Sequence, residues 1–100
     1  MELKETGQSE ITILGNIRNI EDYLAIKKMI ITMIDKGEKN ITIKVIESMT
    51  MNSSIIGFML KVVFEEKIIL NLRVKNDILY NLLKTLNLVK PFHVKKIKDK

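Results

Sequence analysis

Asn40-Ile41-Thr42-Ile43-Lys44-Val45-Ile46-Glu47, then Ser48-Met49-Thr50-Met51-Asn52-Ser53-Ser54, then Ile55-Ile56-Gly57-Phe58-Met59-Leu60-Lys61-Val62-Val63-Phe64, is a stretch that changes its period midway. Ile41, Ile43 and Val45 alternate with Thr42 and Lys44, the two-residue repeat of a strand that runs out near Ser48 and Met49. The run from Ile55 to Phe64 is apolar nearly all round, as in a helix buried on more than one side. Between them, Asn52, Ser53 and Ser54 are residue types whose short side chains accept hydrogen bonds from the free amides of a helix start. A strand feeding a crossover helix must pair in parallel with the strand that follows, so this junction sets the fold class.

The same unit extends to both sides. Upstream, Glu2 to Thr6 and Ile11 to Ile17 read as two strands joined by the turn Gly7-Gln8-Ser9-Glu10, a hairpin. Asn19 is placed to cap a helix, with Glu21 and Asp22 in its first turn complementing the helix dipole. Ile20, Tyr23, Leu24, Ile26, Met29, Ile30, Met33 and Ile34 follow helical spacing, and Gly37 is a natural stop.

Downstream, Ile68 to Val74 is more continuously apolar and is expected to be a strand covered on both faces. Asn76 or Asp77 caps a third helix with the stripe Leu79, Leu82, Leu83 and Leu86, which Asn87 ends in a left-handed conformation. Phe92-His93-Val94 allows one more short strand. The order β-β-α-β-α-β-α, with that optional strand, predicts a small α/β fold: an N-terminal hairpin plus parallel strands in one mixed β-sheet packed with three helices. Residues 1–100 are expected to form a single domain, with 95–100 a basic tail that frays.

Composition narrows the functional classes. Apolar residues at 46% and charged residues at 29% belong to a folding chain and not to a disordered one. There is no cysteine, which removes disulfides, thiolate metal sites and thiol nucleophiles and suits a reducing, cytoplasmic setting. Met1-Glu2-Leu3-Lys4-Glu5 is charged, so no secretory leader is expected, and no stretch approaches the roughly 20 apolar residues of a membrane helix. The net charge of +5 gathers at one end: from Lys90 onward five lysines face one aspartate, Asp99, leaving twelve basic and eleven acidic residues in 1–89. A nucleic-acid-binding face with base-reading side chains is not visible in that mixture, so no nucleic-acid partner and no membrane insertion are expected.

The chemistry-bearing feature is the loop Thr50-Met51-Asn52-Ser53-Ser54. Ligands and partners of such sheets are met where a strand's C-terminal end opens into a helix. Two adjacent hydroxyls stand there beside free N–H groups and the positive end of the helix dipole. A phosphoryl group on one of them would leave the fold intact while placing about −1.5 to −2 charges on a surface that a partner must desolvate. A tenfold to hundredfold loss of affinity takes only about 1.4–2.8 kcal/mol. No nucleophile-base pair, glycine-rich phosphate loop or carboxylate dyad stands at a recognisable spacing, so a binding function without a cofactor is expected in place of an enzyme. His93, the lone histidine, has no second ligand with which to hold a metal and reads as a surface imidazole.

These residues resemble the STAS family (sulphate transporter and anti-sigma factor antagonist). Asn40 to Glu47 followed by Met49-Thr50-Met51-Asn52-Ser53-Ser54-Ile55-Ile56-Gly57 is similar to its buried strand running into Asp-Ser-Ser-Gly-x-Gly. Leu14-Gly15-Asn16-Ile17 is similar to its Leu-x-Gly-x-Leu strand, and Leu82-Leu83 with Leu86-Asn87-Leu88-Val89 to its closing helix and exit. The three motifs stand in order from about Glu2 to Val94.

The resemblance implies a four- or five-stranded mixed sheet with helices around it. For the antagonist branch it implies a bacterial partner switch in transcription regulation, whose serine, here Ser54 with Ser53 beside it, is phosphorylated by a kinase. The implied partner is an anti-sigma factor or serine kinase-like protein that binds the unmodified form, contacting Thr50, Met51, Asn52, Ser53, Ser54 and Ile55. Other members are unphosphorylated docking subunits of sensors, scaffolds or transporters, and self-association into a homodimer is left open. Asn52 stands where the family prefers aspartate. Ile55 stands where it prefers glycine, which sets a branched side chain next to the Ser54 hydroxyl.

Overall fold

In the computed structural model, which describes residues 1–98, Glu2–Gly7 (β1) folds back onto Glu10–Leu14 (β2) as the expected antiparallel hairpin. The pairing slips by a bulge between Glu5 and Gly7. Three helix-strand units follow: Ile20–Asp35 (α1) and Asn40–Val45 (β3), then Ser53–Phe64 (α2) and Ile69–Val74 (β4), then Asp77–Thr85 (α3) and Lys95–Lys96 (β5). The sheet order is β1-β2-β3-β4-β5, antiparallel only at β1–β2 and parallel elsewhere. Among the described residues no helix is long and apolar enough to cross a membrane.

Each parallel crossover steps to the next strand in the same direction. Because such crossovers are right-handed, a sheet that never reverses its order carries all its helices on one face. The burial pattern agrees. Ile11 and Ile13 of β2, Ile41, Ile43 and Val45 of β3, and Leu70, Leu72 and Val74 of β4 form one buried layer, with Ile11 beside Ile43 beside Leu72 across the strands. Ile26, Ile30 and Met33 of α1, Ile55, Met59 and Val62 of α2, and Leu79 and Leu83 of α3 close over it.

This arrangement corrects the expectation that β4 is covered on both faces. β4 alternates, with Leu70, Leu72 and Val74 buried and Asn71 and Arg73 half-buried on the open side, where Ile69 is exposed. The stripe on α1 is also narrower than its spacing indicated, since Ile20 and Leu24 lie outside the core.

The local signals for helix ends act as their chemistry dictates. Gly37 (φ 93°) and Asn87 (φ 60°) take the left-handed conformation just past α1 and α3. The connection Glu65-Glu66-Lys67 contains no glycine, and Lys67 takes the positive φ of 58° there.

The last strand differs from expectation. Phe92 and Val94 are buried in the core, but His93 is left-handed (φ 46°), which breaks the extended run, so pairing begins only at Lys95. Ile97 N–H donates to the Val74 carbonyl (2.8 Å) and Lys96 forms an ion pair with Asp77. Residues 95–97 therefore belong to the sheet edge and not to a frayed tail, while Asp99 and Lys100 lie outside the described residues.

Candidate functional site

Parallel strands bring the starts of all three helices to one end of the sheet, and an asparagine caps each. Asn19 Oδ1 accepts from Asp22 N–H (3.0 Å), Asn52 Oδ1 from Ile55 N–H (2.9 Å), and Asn76 Oδ1 from Ile78 N–H (2.8 Å) and Leu79 N–H (3.2 Å). Asn52 thus performs the capping that an aspartate would, without the charge. The first amides of each helix have no partner inside it, so this rim carries the positive ends of three helix dipoles.

The loop opening α2 is held from below. Ser48 is fully buried; its Oγ accepts from Ile17 N–H (3.1 Å) and donates to the Thr50 carbonyl (2.8 Å). Glu47 Oε1 accepts from Gly15 N–H (2.7 Å), and Lys75 N–H donates to the Val45 carbonyl (3.1 Å). The loops after β2, β3 and β4 are therefore tied together by side-chain and backbone hydrogen bonds. Gly15 has φ 80°, and a Cβ there would come within 3.3 Å of the Met1 Cα, so the turn that presents its amide to Glu47 favours glycine.

On that scaffold the expected site residues separate. Ser53 and Ser54 are the first two residues of α2, and both are exposed, as is Thr50. Asn52 is half-buried in its capping role. Met51 and Ile55, expected among the partner contacts, are instead core residues at 4% and 0% exposure. Met51 fastens the loop to the interior. Because Ile55 turns inward, its branched side chain does not cover the Ser54 hydroxyl, correcting that expectation too.

Sequence reasoning missed the residues that complete the rim. Ile20, Met49 and Ile78 are 60%, 49% and 61% exposed, and all three lie at the helix starts or in the loop between Ser48 and Thr50. An isoleucine in the first turn close after a capping asparagine, at Asn19-Ile20 and Asn76-Asp77-Ile78, was the available signal: early helix positions project beyond the sheet and are hard to bury.

Below Ser54 runs a groove of about 560 Å³ between α1 and α2. Gly57, Phe58 and Lys61 of α2, one and two turns from Ser54 on the same helix face, line it together with Tyr23 and Lys27 of α1. The Lys27 ammonium sits 5.8 Å from the Tyr23 ring centre and 5.6 Å from that of Phe58, bridging the two helices by cation–π attraction. Along α2, Ile55, Met59 and Val62 are buried and Phe58 is half-buried on the groove wall. His93 is exposed, with Nδ1 3.0 Å from the Leu70 carbonyl. Among the described residues no group of acidic or histidine side chains is placed to hold a metal ion.

Comparison with models of known protein families, with curated proteins and with solved structures found no match.

Proposed function

We propose that this chain is a regulatory protein-binding module whose docking surface is the rim of helix starts, and whose partner is released by phosphorylation of Ser54, with Ser53 as the neighbouring acceptor. The observation that carries the reading is the placement of Ser54. It is exposed at the second position of a capped helix, on a loop fixed by the buried Ser48 and flanked by the exposed Met49. A kinase of the anti-sigma factor type would transfer the terminal phosphoryl group of ATP to Ser54 Oγ, the hydroxyl giving up its proton and ADP leaving. The product's charge is stabilised by the first-turn amides, so the fold is retained while a partner that buries the rim is repelled. The resemblance of Leu14-Gly15-Asn16-Ile17 and of the strand-loop-helix at 40–57 to the STAS family supports the same assignment, and a cytoplasmic setting goes with it.

Mass spectrometry of the protein recovered from cells, beside a Ser54→Ala variant, tests this. One phosphoryl group present in the first and absent in the second is the expected result. Persistent lack of modification together with retained partner binding overturns the switch. A second reading, an unphosphorylated docking subunit, draws on the exposure of Ile20, Met49 and Ile78 alone. Under it a Ser54→Glu variant binds its partner as tightly as the unaltered chain, whereas the switch predicts a loss of tenfold or more, about 1.4 kcal/mol.

A further inference from the structure

The two edges of the sheet are unequal. β5 has two residues, too few to template another strand, whereas β1 has six and, among the described residues, pairs on one side only. Hydrogen bonds to the neighbouring strands fix which of its backbone groups are free. Thr42 N–H donates to the Ser9 carbonyl (2.8 Å) and Ile46 N–H to the Ile13 carbonyl (3.2 Å), so the odd-numbered residues of β2 face β3. Backbone direction alternates along a strand, so Thr12 and Leu14 face β1, where they oppose Lys4 and Glu2. Leu3 and Glu5 must then direct their N–H and C=O groups away from the sheet.

A second copy pairing antiparallel across a two-fold axis must place free groups against free groups. Three registers do so. Leu3 opposite Glu5 sets Lys4 against Lys4, and Glu5 opposite Glu5 sets like charges together and runs into the bulge at Gly7. Leu3 opposite Leu3 sets Glu2 against Lys4 twice. Lys4 Nζ already lies 3.9 Å from Glu2 Oε2 of its own chain, so in this register the four charges alternate in sign around a square. On the helix side, Leu3 opens onto a recess of about 300 Å³ lined also by Glu5 and by Ala25, Lys28, Met29 and Thr32 of α1, in which Ala25 and Met29 give the facing leucines apolar surface to cover.

We infer that β1 is a homodimerisation edge, joined about Leu3 into a ten-strand sheet by this register. The closed pair leaves only the two short β5 edges, so association stops at two copies. The contact area is small, and the dimer is of the weak, concentration-dependent kind. This inference is independent of any phosphorylation at Ser54.

Sedimentation equilibrium over a wide concentration range, with circular dichroism as the check on folding, is the test. The unaltered chain should show a monomer–dimer equilibrium. Lys4→Glu, which sets four carboxylates together on an exposed part of the strand, should weaken it about tenfold or more. Exchanging the pair, Glu2→Lys with Lys4→Glu, should restore it. A chain that stays monomeric throughout overturns the proposal, as does a dimer indifferent to Lys4→Glu or one strengthened by Lys4→Thr, which would mark the register with lysines opposed. A monomer whose β1 accepts only an added extended peptide would assign the edge to another partner and overturn it equally.

Discussion

Ser48 Oγ lies 3.1 Å from the backbone nitrogen of Ile17, joining the loop that opens α1 to the loop that opens α2 through a side chain with no exposure to solvent. Replacing it with alanine leaves the Ile17 N–H buried without an acceptor, a cost of about 1–3 kcal/mol. For a domain of this size each kcal/mol lowers the melting temperature by roughly 4–8 °C. Thermal denaturation of Ser48→Ala should show that loss. Ser53→Ala, at the exposed start of α2, should stay within about 0.5 kcal/mol of the parent.

Glu10 supplies the pH dependence. Its carboxylate accepts from Thr6 Oγ1 (2.7 Å) and lies 3.5 Å from Lys44 Nζ; the Thr6 hydrogen bond outweighs the opposing effect of burial and, with a lesser contribution from the lysine, holds its pKa below the ordinary carboxylate value. A group whose pKa is lower folded than unfolded stabilises the fold above its unfolded value, and that contribution disappears as pH falls through the folded one. Stability should therefore fall on acidification below about pH 4.5, where carboxylates begin to protonate. Thr6→Val should raise the Glu10 pKa and flatten that part of the curve. Titration followed by NMR and urea denaturation at a series of pH values read the two effects.

Lys67 offers a stabilising change. It is an exposed residue held at φ 58°, a conformation that costs an L residue about 1–2 kcal/mol and glycine almost nothing. Glycine returns part of this through the greater freedom of the unfolded chain. Lys67→Gly should thus gain about 0.5–1 kcal/mol, measured as a higher midpoint in urea.

How far the sequence carried the fold depended on how local each determinant was. The alternation in Ile41-Thr42-Ile43-Lys44-Val45, the caps Asn19 and Asn52, and the stops Gly37 and Asn87 act within a few residues, and each is found where its chemistry places it. The tie from Ser48 to Ile17 spans 31 residues of chain and leaves no pattern in either segment. Whether β4 is covered on one face or two depends on the order of strands in the sheet, which Ile68 to Val74 do not encode by themselves. His93 lacks the signal of a glycine, and its left-handed turn delayed the last strand unseen. At the candidate site, Ser53 and Ser54 could be placed at a helix start from their neighbours, but the sorting of Met49, Met51 and Ile55 between solvent and core could not. A loop has no period from which to read it.

Met49 and Met51 turn that difference into a test of the docking surface. They stand two residues apart in one loop, yet one is 49% exposed and the other 4%. Truncating the buried one removes side-chain packing from the core, and Met51→Ala should cost about 2–5 kcal/mol. Met49→Ala should leave stability within about 0.5 kcal/mol. If the rim is where a partner docks, Met49 is desolvated on binding, and its truncation should weaken capture of that partner severalfold while the melting temperature holds. Ile78→Ala should act in the same sense, since Ile78 projects from the adjoining helix start. Loss of binding that follows stability across all three variants would mean that the rim contributes through folding alone. Loss in Met49→Ala and Ile78→Ala at unchanged stability places the partner on the rim itself.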